Sequence, residues 1–303
     1  MRKEKIDELR KFLMSELSNY KGEPIKLDLP SEILESILFF KDLDGRKGFN
    51  LLLAHQILKK INFEGISFDN FECENVDFRG LKGIVINPQK IYEKDLKGAI
   101  LEGVTIHIDD NQDFYGVAIS GANFKGAKLD RKGLIPINPQ MIANKNLRRC
   151  VLDGVLFTGP FDDAKVLYAN FSGSKDATID VSKIIGKDLF CTVLKDTTVI
   201  GSFEGATIEG ANFKGAIVKE AINPQTLANK KLNGCIFDGV TFNGSFDYCD
   251  LSWADFTGSK GAFIDDINSC KCEGTTFTDA KVISIEESLD NYKQKIKKSI
   301  HRK

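Results

Sequence analysis

The sequence predicts a repeat solenoid, a chain that turns a corner every five residues and stacks its turns, with helical segments at both ends. Two observations carry the solenoid. "INPQMIANKNLRRCVLDGVLF", from Ile137, returns as "INPQTLANKKLNGCIFDGVTF", from Ile222, and residues 137–180 and 222–265 share 24 identities in 44 gapless positions. Within these units apolar residues recur every five positions, a period that fits neither an α-helix nor a flat strand. A third observation carries the ends: before residue 61 and after residue 283 the apolar residues fall at helical spacing.

The duplicated segment has two more distant copies. "INPQKIYEKDLKGAILEGVTI" opens at Ile86 and "IDVSKIIGKDLFCTVLKDTTV" at Ile179, where NPQ has decayed. All four set a Leu ten residues after the opening Ile (Leu96, Leu147, Leu189, Leu232), and the starts at 86, 137, 179 and 222 give a unit of 42–43 residues. The first copy is longer, which we assign to an insertion near "IDDNQD". Each unit cannot bury its apolar side alone and must stack on its neighbours.

The five-residue steps define the expected core. One run is Leu147, Leu152, Phe157, then Phe161, Val166, Phe171; another is Leu232, Phe237, Phe242, then Phe246, Leu251, Phe256. Phe63, Phe68, Cys73 and Phe78 precede them in phase, and Cys272, Phe277 and Val282 follow. The core residues singled out are Phe124, Phe171, Phe213, Phe256, Leu147 and Leu232. Two positions before a centre stands a small residue: Ala122, Ala127, Ala164, Ala169, Ala206, Ala211 and Ala254, or Cys150, Cys235 and Cys249. Two positions after a centre Gly is frequent, as at Gly126, Gly154, Gly210 and Gly258, which suits a corner with positive φ.

"ANFKG", "ANFSG" and "ADFTG" resemble the motif of the pentapeptide-repeat family, roughly A-[DN]-[LF]-x-G, over about residues 61–283 apart from the NPQ segments. The resemblance implies a mainly β fold, a right-handed quadrilateral parallel β-helix in which four pentapeptides make one square coil. The 42-residue unit is then two coils, with the NPQ segment replacing part of the second. In that segment Asn138 or Asn223 can cap, Pro139 or Pro224 suits a first helical position, and Ile142 or Leu227 turns inward, so a one-turn helix or 3₁₀ bulge is expected on one edge.

The ends divide the chain into a helical N-terminal cap over 1–60, the β-helix over 61–283 and a C-terminal amphipathic helix over 284–303. Ile6, Leu9, Leu13 and Leu17 form one stripe, "LPSEILESILFF" opens a second helix at Pro30, and "FNLLLAHQILKKI" reads as a third. "LPSEILESI" also resembles the first helix of the eukaryotic F-box over about nine residues, without the rest of that motif. Ser284 and Glu287 make a capping-box pattern ahead of the stripe Leu289, Tyr292, Ile296 and Ile300, which either closes the last coil or forms a homodimer.

Composition bounds the function. Charged residues are 28% of the chain and the net charge is −1, which gives no signal for nucleic acid or membrane. No apolar run reaches a membrane span and the seven cysteines lack metal spacing, so a cytoplasmic protein without cofactor or metal is expected. Neither a nucleophile–base set nor a phosphate loop occurs, and Asp109 with Asp110 reads as a solvated loop pair. The leading reading is therefore a non-catalytic binding or scaffold protein with a protein partner. The candidate partner-binding edge is Lys94, Lys145, Lys187 and Lys230, each two residues before the first Leu of its unit. The family resemblance implies two alternatives. Some bacterial members imitate duplex DNA and protect gyrase or topoisomerase from inhibitors; here residues 61–285 hold 24 Lys and Arg against 30 Asp and Glu. Others serve as the substrate-binding β-helix of HECT-like effector ubiquitin ligases.

Overall fold

The computed structural model describes residues 3–41, 45–50, 53–109, 114–130, 133–263, 269–277 and 282–283. The expected C-terminal helix over 284–303 lies outside the described residues. The chain divides into two compact units, Met1–Asn146 with Cys150–Thr158, and Leu147–Arg149 with Gly159–Lys303. Each is a parallel β-solenoid of pentapeptide-repeat type.

The first unit opens with helix α1 (Lys3–Ser18), strand β1 (Ile25–Lys26), helix α2 (Ser31–Leu38), strands β2 (Phe39–Lys41) and β3 (Lys47–Phe49), and a single turn, α3 (His55–Leu58). Of the expected α1 stripe only Leu17 is buried; Ile6, Leu9 and Leu13 are half-buried. Arg10 is buried beside them, donating through Nε to Ile37 O (2.9 Å) and through Nη2 to Ser36 O (2.8 Å) at the end of α2. A cation there satisfies carbonyls the helix leaves open and complements its dipole. The third helix expected from "FNLLLAHQILKKI" shrinks to α3. Its first residue, Phe49, pairs instead in the antiparallel β2–β3 hairpin, because Phe39 and Phe49 pack into the end of the solenoid. Phe39 lies 5.2 Å from Phe71, and Phe49 lies 4.9 Å from Phe71 and 5.7 Å from Phe63. Lys47 bridges Phe71 in parallel, so the hairpin occupies the first exposed rung.

Beyond strand β4 (Ile61–Asn62), which pairs in parallel with β1, the unit coils. Strands β5 (Val85–Ile86), β6 (Thr105–Ile106) and β7 (Lys128–Leu129) form one parallel sheet, and β8 (Ile135–Ile137) pairs in parallel with β9 (Val155–Phe157). The second unit has the parallel sheet β10 (Thr178–Asp180), β11 (Thr198–Ile200), β12 (Ile217–Val218), and the parallel pair β13 (Ala262–Phe263) and β14 (Val282–Ile283).

Bridges between coils measure their lengths. In the second unit Asn170 pairs with Val193, Val193 with Asn212, Asn212 with Ile236 and Ile236 with Asp255, steps of 23, 19, 24 and 19 residues. The repeat is thus a long coil holding the NPQ-type segment and a short coil without it. In the first unit Ile100 pairs with Asn123 and Asn123 with Val151, steps of 23 and 28. The excess of the first copy is therefore shared: about half lies in the coil of "IDDNQD" and the rest in the next coil, around "DRKGLIP".

Phe124, Phe171, Phe213, Phe256, Leu147 and Leu232 are each fully buried. In the second unit Phe213, Phe237, Phe256 and Phe277 stand over one another on successive coils, with ring centroids 5.8, 4.9 and 5.1 Å apart and near-parallel planes. The register loosens at Ala127, Leu129, Cys272 and Phe277, which are half-buried. Phe171→Ala or Phe256→Ala should each cost about 3–5 kcal/mol in urea unfolding. Leu129→Ala should cost clearly less, and equal losses at all three would contradict this register.

Candidate functional surface

Several corners are built the same way. The Asn or Asp before an apolar centre accepts through its side chain from the N–H two residues on: Asn123 from Lys125 (3.0 Å), Asn170 from Ser172 (2.9 Å), Asp188 from Phe190 (3.0 Å), Asp255 from Thr257 (2.9 Å). These short caps explain the [DN] of the repeat. The NPQ segments use the same device: Asn87, Asn138 and Asn223 accept from Gln89, Gln140 and Gln225. Where NPQ has decayed, Asp180 accepts from Ser182. Pro224–Thr226 is the expected 3₁₀ turn, and Ile142 and Leu227 are buried.

Two residues past many of the centres the backbone is left-handed. Several side chains other than Gly hold this conformation, among them Arg149 (φ +60°), Tyr168 (+59°), Cys191 (+51°), Tyr248 (+61°) and Trp253 (+62°). Tyr168, Tyr248 and Trp253 are 42%, 76% and 67% exposed. A bulky side chain in this region costs about 1–2 kcal/mol. These three carry that strain on the surface, where packing does not require a ring.

In the second unit one corner forms a continuous column. The N–H groups of Arg149, Tyr168, Cys191, Gly210, Gly234 and Trp253 donate in turn to Leu167, Phe190, Glu209, Asn233, Ser252 and Glu273 O at 2.7–3.1 Å. Arg149 lies over the Tyr168 ring (5.6 Å), and Tyr168 meets Phe190 edge-on (5.3 Å). A Cβ on Gly210 would stand 2.7 Å from Cys191 Sγ, and one on Gly234 would stand 3.7 Å from Gly210 Cα. Trp253 lies across Gly274, where a Cβ would meet the ring at 2.5 Å. Along this corner Cys191 Sγ therefore lies over Gly210 and the Trp253 ring over Gly274, and side-chain cover is missing at Gly234. The five-residue pattern alone marks this position as a glycine site and does not single out the aromatic replacements. The signal was present as Tyr or Trp two residues after Val166, Phe246 and Leu251.

The four lysines share a conformation. Lys94, Lys145, Lys187 and Lys230 have φ of +52°, +48°, +48° and +49°, each follows another left-handed residue, and each is half-buried. Lys94 and Lys145 belong to the first unit, Lys187 and Lys230 to the second. Lys187 Nζ donates to Glu204 O (2.7 Å). Lys230 Nζ donates to Gln225 Oε1 (2.7 Å) and lies 6.0 Å from the Tyr248 ring centroid.

In the first unit Asp109 is tied into a polar cluster. His107 Nδ1 meets Asp130 Oδ2, His107 Nε2 meets Asp109 Oδ1 (3.0 Å), Asn87 Nδ2 donates to Asp109 Oδ2 (2.9 Å), and Lys90 Nζ lies 3.4 Å from Asp109. The hydrogen bonds to Asp130 and then Asp109 raise the His107 pKa, and those from His107, Asn87 and Lys90 lower that of Asp109. Asp110 lies outside the described residues.

The cysteines are free thiols; Cys73, Cys150, Cys235 and Cys249 are buried, and Cys191, Cys270 and Cys272 half-buried. Burial pushes Cys150 and Cys249 up to about 12 and raises Cys73 and Cys235 as well. Cys150 and Cys235 do more than fill the small position: their Sγ donate to Ile119 O (2.9 Å) and Ile208 O (2.8 Å) on the preceding coil. Thr192 makes the same contact to Val166 O (3.0 Å).

These coils, corner caps and left-handed turns define the architecture as a pentapeptide-repeat β-solenoid. Solved structures of this kind resemble the chain at low identity. HetL, a pentapeptide repeat protein involved in heterocyst differentiation regulation from the cyanobacterium Nostoc sp., is 16% identical over 74% of this chain and 91% of its own, with a TM-score of 0.27. The plasmid-mediated fluoroquinolone resistance protein QnrB1 is similar in a trypsin-treated form, 15% identical over 68% of this chain and 91% of its own (TM-score 0.22). Its full-length form is 14% identical over 68% and 92% (TM-score 0.18). No protein-family model and no curated protein sequence matches the chain.

Two outcomes test this surface. Trp253→Gly should be more stable than Trp253→Ala by about 1 kcal/mol, the reverse of the usual order within a regular element, because Gly adopts positive φ freely. Equal stability by urea unfolding would show that Trp253 is not left-handed. For the His107 cluster the sign follows from the raised folded pKa. Its contribution is complete below the unfolded value of about 6.5 and is lost as pH rises through the folded value. The Tm advantage of the wild type over His107→Gln should therefore be largest near pH 6 and shrink under alkaline conditions; a constant difference would contradict the ion pairs.

Proposed function

We propose that this protein is a non-catalytic repeat scaffold that binds a protein partner, with the aromatic corner of the second unit as its contact surface. The observation that carries the reading is the set of exposed rings, Tyr168 and Trp253 on this corner and Tyr248 on another, held in backbone conformations that Gly would adopt without strain. Strain at exposed positions points to a task outside the fold. Tyr, Trp and Arg are also the residue types that dominate protein-binding hot spots. The lysine edge enters through Lys230, whose ammonium faces Tyr248.

A duplex-DNA mimic asks for continuous acidic faces, and the charge pattern favours the scaffold over it. Asp250 pairs across the rungs with Lys231 on one side and Lys271 on the other, so the sign alternates along that face. Similarly, Lys231 Nζ lies 3.7 Å from Glu209.

Quantitative affinity capture from the source cells tests the reading. The wild type should retain a partner that the Tyr168→Gly/Trp253→Gly double variant loses, and changing Lys94, Lys145, Lys187 and Lys230 together to Gln should weaken capture in low salt. Identical recovery by all three proteins would overturn it.

A further inference from the structure

Resting on the protein-binding reading, we infer that the outer face of the Trp253 ring is a receptor for a cationic side chain of the protein partner, arginine above all, with Glu273 as the flanking carboxylate. The chain itself supplies a cation to the other two strained, exposed rings of this unit. Arg149 lies over Tyr168 (5.6 Å), and Lys230 Nζ stands 6.0 Å from the Tyr248 ring centroid. Among the described residues no cation lies over Trp253, although its ring is 67% exposed. The third ring is therefore open where its two counterparts are filled from within.

Its seat turns one face outward. A Cβ on Gly274 would stand 2.5 Å from Cε3 of the ring and 2.8 Å from each of Cδ2 and Cζ3. Cε3 is bonded to both of the others, and an approach in the ring plane would leave them clearly farther away. Gly274 thus lies beneath the ring face rather than at its edge. With one face on backbone, the exposure of the ring belongs to the opposite face and the rim. An indole face is the strongest aromatic attractor of cations.

The charges around the ring select the same occupant. Glu273 precedes the seat, and its carbonyl accepts the Trp253 N–H (2.7 Å). Glu273 is exposed, and its carboxylate makes no hydrogen bond or ion pair among the described residues. The nearby ammonium groups already have carboxylates: Lys231 Nζ lies 3.7 Å from Glu209 and Lys271 Nζ 3.8 Å from Asp250. The uncompensated charge beside the ring is negative, so a cation is drawn in and an acidic segment is repelled. A guanidinium suits the site better than an ammonium, because its plane stacks on a ring while its edge donates to a carboxylate.

Trp253 is the sole tryptophan of the chain, so its emission reports on this site. The test is selection of a random dodecapeptide library on the full chain, followed by anisotropy measurements on the enriched, labelled peptides. Enriched sequences should carry Arg, and their binding should shift the Trp253 emission. Replacing that Arg with citrulline, which keeps the shape and removes the charge, should weaken binding about fivefold or more. Trp253→Gly, which keeps the corner unstrained, should weaken it about tenfold or more. In Glu273→Gln the loss should be about threefold in low salt and should close in 0.5 M salt. Enrichment without basic residues, peptides indifferent to citrulline or to Trp253→Gly, or no enrichment at all would overturn the receptor. If the peptides fail in any of these ways but the captured partner is lost in the corner double variant, protein binding stands and the cation receptor alone fails. If the partner is retained as well, both readings fail.

Discussion

The structure depends on one local constraint: many corners of the coil turn through a left-handed residue. That requirement recurs along both units. Glycine meets it without strain, as at Gly210 (φ +70°) and Gly234 (+68°). Where a carboxylate or amide stands before the apolar centre, as at Asn123, Asn170, Asp188 and Asp255, it locks the turn by accepting the N–H two residues ahead. Once corners are fixed, the centres of successive coils superpose, and the parallel hydrogen bonds and the Phe213–Phe237–Phe256–Phe277 stack follow. Stability of this kind accumulates rung by rung.

The same constraint makes departures informative. A short coil takes 19 residues and a coil with an NPQ-type segment 23 or 24, so the 42–43-residue repeat accommodates a bulge without disturbing the rungs on either side. The bulge keeps its cap even where Pro and Gln are gone, since Asp180 does what Asn223 does. At the small inward position, Ala is one solution and Cys or Thr another. The latter also give a hydrogen to a carbonyl on the neighbouring coil, through Cys150, Thr192 and Cys235.

Much of the solenoid was legible in the sequence because its period is short and its demands are strict. The phase of Phe171 and Phe256, the double-coil unit and the inward Ile142 and Leu227 all follow from spacing. The N-terminal segment was less legible. An apolar run such as "FNLLLAHQIL" reads as a helix by periodicity, whereas the unpaired first rung draws Lys47–Phe49 into a hairpin, a tertiary effect that local pattern does not encode. The second part of the first copy's excess was hidden for a similar reason: "DRKGLIP" carries no repeat signature, and only the Asn123–Val151 bridge reveals it. The candidate surface was legible in part. Tyr168, Tyr248 and Trp253 stand at the glycine position in the sequence, but the alignment of Tyr168 and Trp253 with Gly210 and Gly234 emerges only when coils of unequal length are stacked.

That stacking can be tested directly with a thiol already present. Gly210 lies one rung from Cys191, and a side chain there would reach its sulfur. In Gly210→Cys, mild oxidation of the folded protein followed by peptide mapping should yield a disulfide between positions 191 and 210, with Cys150, Cys235 and Cys249 still reduced. A new thiol that stays free under the same oxidation, or that links to Cys235 or Cys249 instead, would contradict the 19-residue rung and with it the aligned corner.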